Sequence, residues 1–344
     1  MDMSMQAMVL SKLAPIESRP LKLTSVAQPK IKKNELLVEI KACGVCRSNL
    51  HVIEGDWKAH GVPSVLPIIP GHEIVGFVNK VGDSVREIKK GDRVGIQPLY
   101  SSCLKCEYCR NGRENLCESA EITGESVNGG YAEYIVVSEP FATKVPDDFR
   151  AEYAAPLFCP GITAYKAVKA SEPNRRKTVG VFGVGGVGHI AIQLLKLDNA
   201  RVVAVSRSEN HLKLGESVGA DSSVKLLEDS KEFLYNLKKE EGLLDSAIVF
   251  APSHKAINSA MKSIKRGGTV VVCVFGKIPE FHFYEEKIVK GSVIGTRKDM
   301  QELLRIAEES DLKVVSKGFP LKEANQVLAE LKNSKIYGRA VLLP

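Results

Sequence analysis

The N-terminal part of the chain alternates apolar and polar residues with the period of half-buried β-strands. The alternation is clear at residues 6–10 and 36–42. Apolar segments continue at residues 74–81, 92–96 and 131–137, with turn residues such as Val81-Gly82-Asp83 between them. Residues 1–4 precede the pattern as a lead segment. This rhythm predicts a small barrel-like β domain.

The second half of the chain instead alternates strands with helices, a pattern typical of a doubly wound parallel sheet. The predicted strands are 178–182, 201–205, 246–250 and 269–274. The predicted helices are 162–170, 189–197, 300–309 and 321–331, and a strand at 340–343 closes the chain. The predicted fold class is therefore α/β.

Composition narrows the class of protein. With 344 residues, 44% of them hydrophobic, the chain is long enough for two domains. The net charge of +7 is spread along the sequence, which indicates a solvated surface and an anionic cofactor rather than nucleic acid. No apolar run of about eighteen residues and no signal pattern occurs, so neither a membrane partner nor export is predicted, and we expect a cytoplasmic protein.

Four cysteines form the strongest local signal. Cys103, Cys106, Cys109 and Cys117 are separated by two, two and seven residues. Four thiolates at such spacing can close a tetrahedral zinc shell without other ligands. A bacterial iron–sulfur cluster would instead have three residues before the last cysteine and a proline after it. The lobe is therefore predicted to hold structural zinc.

A second set of metal-binding residues is dispersed. Cys46 could hold zinc, although Cys43–His51 alone is equally consistent with a strand end and a polar turn. His72 could be a second ligand, with Glu73 beside it, although such a pair is more often a surface turn. Cys159 as a third ligand would leave one position open, as a catalytic zinc requires, whereas its simplest interpretation is a buried structural thiol.

A glycine loop follows the first strand of the predicted parallel sheet. It reads Gly183-Val184-Gly185-Gly186-Val187-Gly188 and leads into a helix. This context predicts a dinucleotide site, because the glycines allow close approach of a pyrophosphate to the helix N-terminus.

The next strand ends at Ser206-Arg207-Ser208 and carries no carboxylate for the adenosine ribose diol. Two hydroxyls and a guanidinium suit a 2′-phosphate, so NADP(H) is predicted over NAD(H). The alternative interpretation of this segment is an exposed strand end without a role.

These motifs together resemble the zinc-dependent medium-chain alcohol dehydrogenases, from about Met8 to Leu343. Cys-Gly-Val-Cys, Pro-Gly-His-Glu, the cysteine lobe, Leu-Phe-Cys-Pro-Gly-Ile-Thr and the glycine loop occur in the family's order. The segment 295–300 resembles its bacterial and archaeal branch. The resemblance implies a GroES-like catalytic domain at 1–154 and 295–344, with the zinc lobe at about 100–118. It also implies a Rossmann NAD(P)-binding domain at 155–294 and a cleft at the domain junction.

The resemblance also implies roles for individual residues. Cys46, His72 and Cys159 would be the catalytic zinc ligands, with Glu73 next to them, so that each chain would hold two zinc ions. Ser48 and His51 would form a proton relay. The expected cofactor contacts outside the glycine loop and residues 206–208 are Arg47, Thr163, Val274 and Arg339, and the expected substrate pocket contains Ser48, Trp57 and Pro98.

Three residues depart from the family pattern. Asn49 stands where an Asp usually orients the histidine ligand, which puts the groups around His72 in question. Pro98 replaces a tryptophan common in the ethanol-type branch and would leave a wider pocket beside Trp57. Pro160 replaces a usual alanine, without a consequence that we can derive.

The predicted activity is hydride transfer between an alcohol or aldehyde and a nicotinamide cofactor. The expected partners are a small-molecule substrate and further copies of the chain, in a dimer or tetramer. Two alternatives are a zinc-free quinone-reductase-like enzyme and a non-catalytic zinc-binding module. The first has no need of Cys46, His72 and Cys159 together, and the second leaves the glycine loop unexplained.

Overall fold

The computed structural model describes residues 3–344, which form two compact units. Unit 1 contains the chain through Cys159, Thr296–Ser310 and Val314–Pro344, and unit 2 contains Pro160–Gly295 and Asp311–Lys313. The predicted functional domains, divided after residues 154 and 294, stay a prediction. Residues 1 and 2 of the predicted lead lie outside the described residues, whereas Ser4 already belongs to a strand and pairs with Ala27.

The secondary structure is assigned over these described residues. The strands are β1 (Ser4–Leu10), β2 (Leu21–Ala27), β3 (Glu35–Gly44), β4 (Ile74–Val81), β5 (Arg93–Ile96), β6 (Leu99–Ser101), β7 (Glu121–Ile122), β8 (Tyr134–Ser138), β9 (Thr143–Lys144), β10 (Thr178–Phe182), β11 (Arg201–Ser206), β12 (Ser222–Lys225), β13 (Leu244–Val249), β14 (Ile264–Val272), β15 (Ile288–Gly291), β16 (Ser316–Pro320) and β17 (Arg339–Leu343). The helices are α1 (Arg47–Glu54), α2 (Glu107–Arg110), α3 (Ala151–Ala154), α4 (Pro160–Ser171), α5 (Gly188–Leu197), α6 (Glu209–Ser217), α7 (Ser230–Glu240), α8 (His254–Ser263), α9 (Arg297–Glu309) and α10 (Ala324–Lys332).

The main sheet of unit 1 follows the order β16-β17-β3-β4-β5-β9, and β8 also pairs with β3. All these pairs are antiparallel except β16 with β17. The C-terminal strand pairs Val341 with Gly44 and Leu342 with Cys43. The end of the chain therefore lies beside the start of the Cys43–His51 segment.

The sheet of unit 2 is parallel throughout, in the order β12-β11-β10-β13-β14-β15. Numbered within the unit this order is 3-2-1-4-5-6, that of the dinucleotide-binding doubly wound fold. Both faces of such a sheet are covered by helices, which explains the continuous apolar run Val202–Val205, each residue fully buried. The predicted α/β fold class is confirmed.

Helix α1 carries several predicted site residues, and its ends are fixed locally. Cys46 is the N-cap, and Asn49 closes a capping box by accepting from the Cys46 N–H at 3.2 Å. The helix stops at Gly55, whose φ of 81° lies in the left-handed region that glycine enters without strain. These caps fix where Arg47, Ser48 and His51 lie on one short helix.

Candidate active site

Four predicted residues meet in unit 1. One ligand atom from each of Cys46, His72, Glu73 and Cys159 lies within 4.8 Å of the others, and we call this set the dispersed cluster. Cys46 precedes α1, His72 and Glu73 precede β4, and Cys159 follows the 3₁₀ turn Ala155–Phe158. The Sγ atoms of Cys46 and Cys159 are 3.8 Å apart, although 113 positions separate them in sequence.

The electrostatics of the dispersed cluster suit a soft divalent cation. The hydrogen bond with Cys159 lowers the pKa of the Cys46 thiol, although burial opposes this, and the same bond raises the pKa of Cys159. Burial alone would lower the pKa of His72, but the bond and charge of Cys46 outweigh it and raise that pKa. Two thiols and an imidazole are a donor set that zinc prefers, and the residues present fit that metal.

Asn49 supports two of these ligands. It is fully buried, and its Oδ1 accepts from the Cys46 N–H at 3.2 Å and from the Tyr131 hydroxyl at 3.1 Å. Its Nδ2 lies 3.4 Å from His72 Nδ1. Asn49 therefore holds the place beside His72 as a neutral amide, whereas the family pattern has a carboxylate there.

Glu73 and Arg339 form a buried ion pair behind the ligands. Arg339 is 6% exposed, and its Nη2 donates to Glu73 Oε1 and, at 2.9 Å, to the Val45 carbonyl. Burial raises the pKa of Glu73 to about 7, against the lowering effect of Arg339. Glu73 Oε2 has no hydrogen-bond partner among residues 3–344 and would lie 1.9 Å from a Cβ at Gly44, so only glycine leaves room for it. The side chain of Arg339 is thus bound to Glu73. Its expected contact with cofactor phosphates stays a prediction.

The expected proton-relay residues lie on α1. Ser48 Oγ is 3.2 Å from His72 Nε2. His51 Nδ1 is 2.6 Å from Asp56 Oδ2, and the Trp57 ring stacks on the imidazole at 5.2 Å between centroids. Sequence reasoning did not identify Asp56, for which the signal was a carboxylate just beyond the glycine that ends the helix. Trp57, expected in the substrate pocket, lies against His51.

The four-cysteine lobe is also assembled. One Sγ from each of its cysteines lies within 4.8 Å of the others. The Sγ atoms of Cys103 and Cys109 are 3.9 Å apart, and the Cys106 N–H donates to Cys103 Sγ at 3.3 Å. Backbone N–H groups of Lys105 and Cys106 lower the pKa of Cys103 to about 6. A thiolate ready at neutral pH and three further sulfurs fit a closed zinc shell.

The glycine loop of unit 2 requires its glycines for steric reasons. Gly183 has a φ of 103°, and a Cβ there would lie 2.7 Å from the Ala251 backbone nitrogen. A Cβ at Gly188 would lie 2.1 Å from the Gly183 carbonyl, whereas one at Gly185 would meet nothing within 4 Å. The loop therefore packs closely against neighbouring backbone at Gly183 and Gly188 but leaves open space at Gly185. Helix α5 begins three residues after Gly185. This arrangement fits a pyrophosphate at a helix N-terminus.

The end of β11 presents polar groups next to that loop. Ser206 is 6% exposed, and its Oγ accepts from the Ser208 N–H at 3.3 Å. Arg207 is exposed, and within residues 3–344 no hydrogen bond or ion pair of its guanidinium is found. Its charge helps Lys255 to lower the pKa of Glu228.

The other predicted contacts are dispersed over both units. Arg47 begins α1 and donates to the Leu331 carbonyl at 3.2 Å, and Pro98 is buried after β5. Thr163 lies on α4, and Val274 follows β14 and packs against the core of unit 2. Their roles toward cofactor and substrate stay predictions.

Comparison with known proteins identifies the family. Residues 32–147 match the family model described as alcohol dehydrogenase GroES-like domain, and residues 186–309 match that of the zinc-binding dehydrogenases. An alcohol dehydrogenase of Geobacillus stearothermophilus is 41% identical over 338 residues, which are 96% of this chain and 99% of that protein.

Two solved structures are similar to this chain over almost its full length. The alcohol dehydrogenase of the archaeon Aeropyrum pernix is 32% identical with a TM-score of 0.89, over 98% of this chain and 100% of that one. CAD from Helicobacter pylori, solved with NADP(H), is 25% identical with a TM-score of 0.85, over 99% and 98% of the two chains.

The chain belongs to the zinc-dependent medium-chain alcohol dehydrogenases, with a GroES-like and a Rossmann-type fold. It is an enzyme of alcohol and aldehyde oxidoreduction, and the predicted fold and enzyme class are confirmed. No helix among residues 3–344 is long and apolar enough to cross a membrane.

Proposed function

We propose that the enzyme interconverts alcohols and aldehydes with NADP(H) as the preferred cofactor, and that the dispersed cluster holds its catalytic zinc. The observation that carries this proposal is the convergence of Cys46, His72 and Cys159 within 4.8 Å, with Glu73 as the fourth group. The four-cysteine lobe would hold a second, structural zinc, because its four sulfurs leave no position for substrate.

The chemistry divides between bound groups and the chain's own residues. Zinc supplies Lewis-acid polarisation of the substrate oxygen, and the nicotinamide supplies the hydride acceptor. Ser48 would accept the proton of the alcohol, since its hydroxyl lies 3.2 Å from a proposed zinc ligand, His72. Ser48 would release its own hydroxyl proton toward His51, which stands three positions further on the same helix and would pass a proton to solvent. Asp56 and Trp57 hold its imidazole in place.

The preference for NADP(H) rests on residues 206–208. Arg207 is exposed at the carboxyl end of β11, the second strand of the parallel sheet, where a dinucleotide fold places the adenosine ribose. Its guanidinium suits a phosphate dianion better than a neutral diol. A charge-assisted hydrogen bond contributes about 1.5–3 kcal/mol, equivalent to roughly one to two orders of magnitude in cofactor preference.

Steady-state kinetics with both cofactors tests this proposal. Arg207→Ala should raise the Michaelis constant for NADP about 10- to 100-fold and leave that for NAD nearly unchanged. Arg176→Ala, which removes an exposed arginine before β10, serves as the matched control and should change neither constant. Equal use of both cofactors by the unmodified enzyme, or an Arg207 variant without effect, would contradict the preference.

The substrate pocket is proposed to accept alcohols larger than ethanol, including benzylic and cinnamyl types. Pro98 supports this proposal, since a small buried ring stands where the ethanol-type branch commonly has tryptophan. An apolar pocket discriminates by about 1–3 kcal/mol per methylene. Catalytic efficiency across a panel of alcohols should therefore not fall steadily from ethanol to the aromatic alcohols.

A homo-oligomer is also part of the proposal. Around β15, at one edge of the parallel sheet, Phe281, Phe283 and Tyr284 are 50%, 85% and 58% exposed. An apolar surface beside an edge strand is typical of a protein–protein contact. These residues support association of copies of the chain through unit 2.

A further inference from the structure

Glu125 is a carboxylate without a partner close to the dispersed cluster. It is half-buried, and within residues 3–344 no hydrogen bond or ion pair of its side chain is found. Among the same residues, buried oxygens without a partner occur at other positions, such as Glu73 Oε2, but not at Glu125, so both oxygens of Glu125 remain accessible to water. A half-buried charge that no group of the chain compensates is costly, which indicates a ligand that binds there.

The backbone at Glu125 is packed against the turn that carries His72. The preceding residue, Gly124, has a φ of 74°, and a Cβ there would lie 2.7 Å from the Gly71 backbone nitrogen. The Glu125 carbonyl accepts from the Ser64 N–H at 3.1 Å, which holds the segment from its other side. Because Gly71 directly precedes His72, this close packing brings Glu125 next to the dispersed cluster.

The side chain of Glu125 lies on the accessible side of the proposed ligands. Burial raises the pKa of its carboxyl, the charge of His72 opposes that shift, and the charge of Cys46 adds to it. At Glu73 burial also raises the pKa and Arg339 opposes it, whereas Arg339 does not act on Glu125. Glu125 is therefore close to the ligands but away from the ion pair behind them, where water can reach it.

The proposed metal does not account for this carboxylate. Glu125 is not part of the dispersed cluster, whose four ligand atoms lie within 4.8 Å of one another. In the proposed assignment the thiolates of Cys46 and Cys159 balance the double charge of zinc, and Glu73 is paired with Arg339. The negative charge of Glu125 is then compensated neither by the metal nor by the chain.

We infer that Glu125 binds an ammonium group on the part of the substrate that does not react, so that amino alcohols and quaternary ammonium alcohols are favoured over neutral alcohols of the same shape. A cationic nitrogen supplies the missing opposite charge, and one that carries hydrogen also forms a charge-assisted hydrogen bond with the carboxylate. This inference rests on the proposed function, since it concerns the same site. Glu125 would be a specificity-determining residue, and hydride transfer itself is unchanged.

Two matched substrate pairs test the inference. Choline with 3,3-dimethylbutan-1-ol, and 4-aminobutan-1-ol with pentan-1-ol, differ in each case by a cationic nitrogen exchanged for a carbon. For both pairs the unmodified enzyme should have the higher kcat/KM with the cationic alcohol. We expect Glu125→Gln to lower the ratio of kcat/KM for the cationic alcohol to that for the neutral one by about 10- to 100-fold, through loss on the cationic alcohol.

Two further measurements separate specificity from metal binding and from folding. Glu125→Gln should keep about two zinc ions per chain, because Glu125 lies outside both clusters. Its melting temperature should stay equal or rise, because the substitution removes a half-buried charge without a partner. If Glu125→Gln does not accumulate as folded protein, Glu125→Ala provides the same comparison.

Glu121→Gln is the matched control, because it removes the same charge from a position on β7, shortly before Glu125. Glu121 is exposed and accepts from the Ser101 hydroxyl at 2.7 Å, a bond that the oxygen of an amide can also accept. This variant should leave both substrate ratios, the zinc content and the melting temperature unchanged.

The outcomes separate the two proposals. Turnover of the neutral alcohols with ratios below one in the unmodified enzyme, or with ratios that do not respond to Glu125→Gln or Glu125→Ala, would overturn the role of Glu125 and leave the proposed function standing. Loss of one zinc ion, or equal losses on both members of a pair, would also overturn it, since the carboxylate would then serve the metal or the reaction itself. No turnover of any of the four alcohols by metal-loaded, unmodified enzyme would instead count against the proposed function.

Discussion

The two metal clusters of unit 1 use the same thiol chemistry in different arrangements. The four-cysteine lobe is local: its first and last members, Cys103 and Cys117, are 14 positions apart, and all four donors are sulfurs. The dispersed cluster joins segments 113 positions apart, mixes thiols with an imidazole and a carboxylate, and is backed by the buried Arg339. Under the proposed assignment the local arrangement would close a metal shell, whereas Cys46, His72 and Cys159 would leave one position and charged groups for chemistry.

The largest effect is expected from breaking the dispersed cluster. Cys46→Ser or His72→Ala should reduce turnover roughly 1000-fold, because polarisation of the substrate by the metal lowers the activation barrier by several kcal/mol. Zinc should fall from about two ions per chain to about one, with the fold retained. Metal analysis and circular dichroism check both points.

Cys43→Ser is the control for that experiment, because Cys43 is a buried thiol of the same segment that lies outside both clusters. It should keep both zinc ions. Activity above a few per cent in Cys46→Ser or His72→Ala would refute the ligand assignment.

The next effect concerns the lobe and acts on stability. Cys106→Ser should lower the melting temperature by roughly 10 °C, because a structural metal contributes directly to the free energy of unfolding. Turnover per folded molecule should stay near that of the unmodified enzyme. Lys105→Ser, at the exposed neighbouring position, should change neither quantity. An unchanged melting temperature with lost activity would contradict the proposal that the lobe serves stability and the dispersed cluster serves catalysis.

The same contrast between local and dispersed residues explains which features could be predicted from the sequence alone. Strand β4 was predicted with the bounds Ile74–Val81 that the structure has, because the period of two is a local signal. The lobe was equally accessible, since its ligands lie on one short segment. Cys159 was only one possible third ligand beside Cys46 and His72 until the resemblance to a family supported it, because no local pattern encodes the pairing of segments so far apart.

Features that depend on packing could not be predicted. The bond of Arg339 to Glu73 spans 266 positions and follows from the pairing of β17 with β3. The absence of a hydrogen-bond partner for Glu73 Oε2 among residues 3–344 could not be predicted for the same reason, since a residue type does not reveal whether its partners exist. Asp56 lay within reach of sequence reasoning, but a carboxylate beside a turn gives no sign that it faces His51.

The smallest expected effect is a change in the zinc affinity of the dispersed cluster when Asn49 is substituted. A histidine that binds metal through Nε2 keeps its proton on Nδ1 and needs an acceptor there. Asn49 offers Nδ2 at 3.4 Å, because its Oδ1 is already engaged by Cys46 and Tyr131. Asn49→Asp would let both oxygens accept, so zinc affinity of the dispersed cluster should rise about tenfold, measured by competition with a chelator. Tyr131→Phe in the same background should keep that gain, since the hydroxyl donates to the oxygen that does not face His72. Equal or weaker zinc retention by Asn49→Asp would mean that the amide already serves His72 as an acceptor.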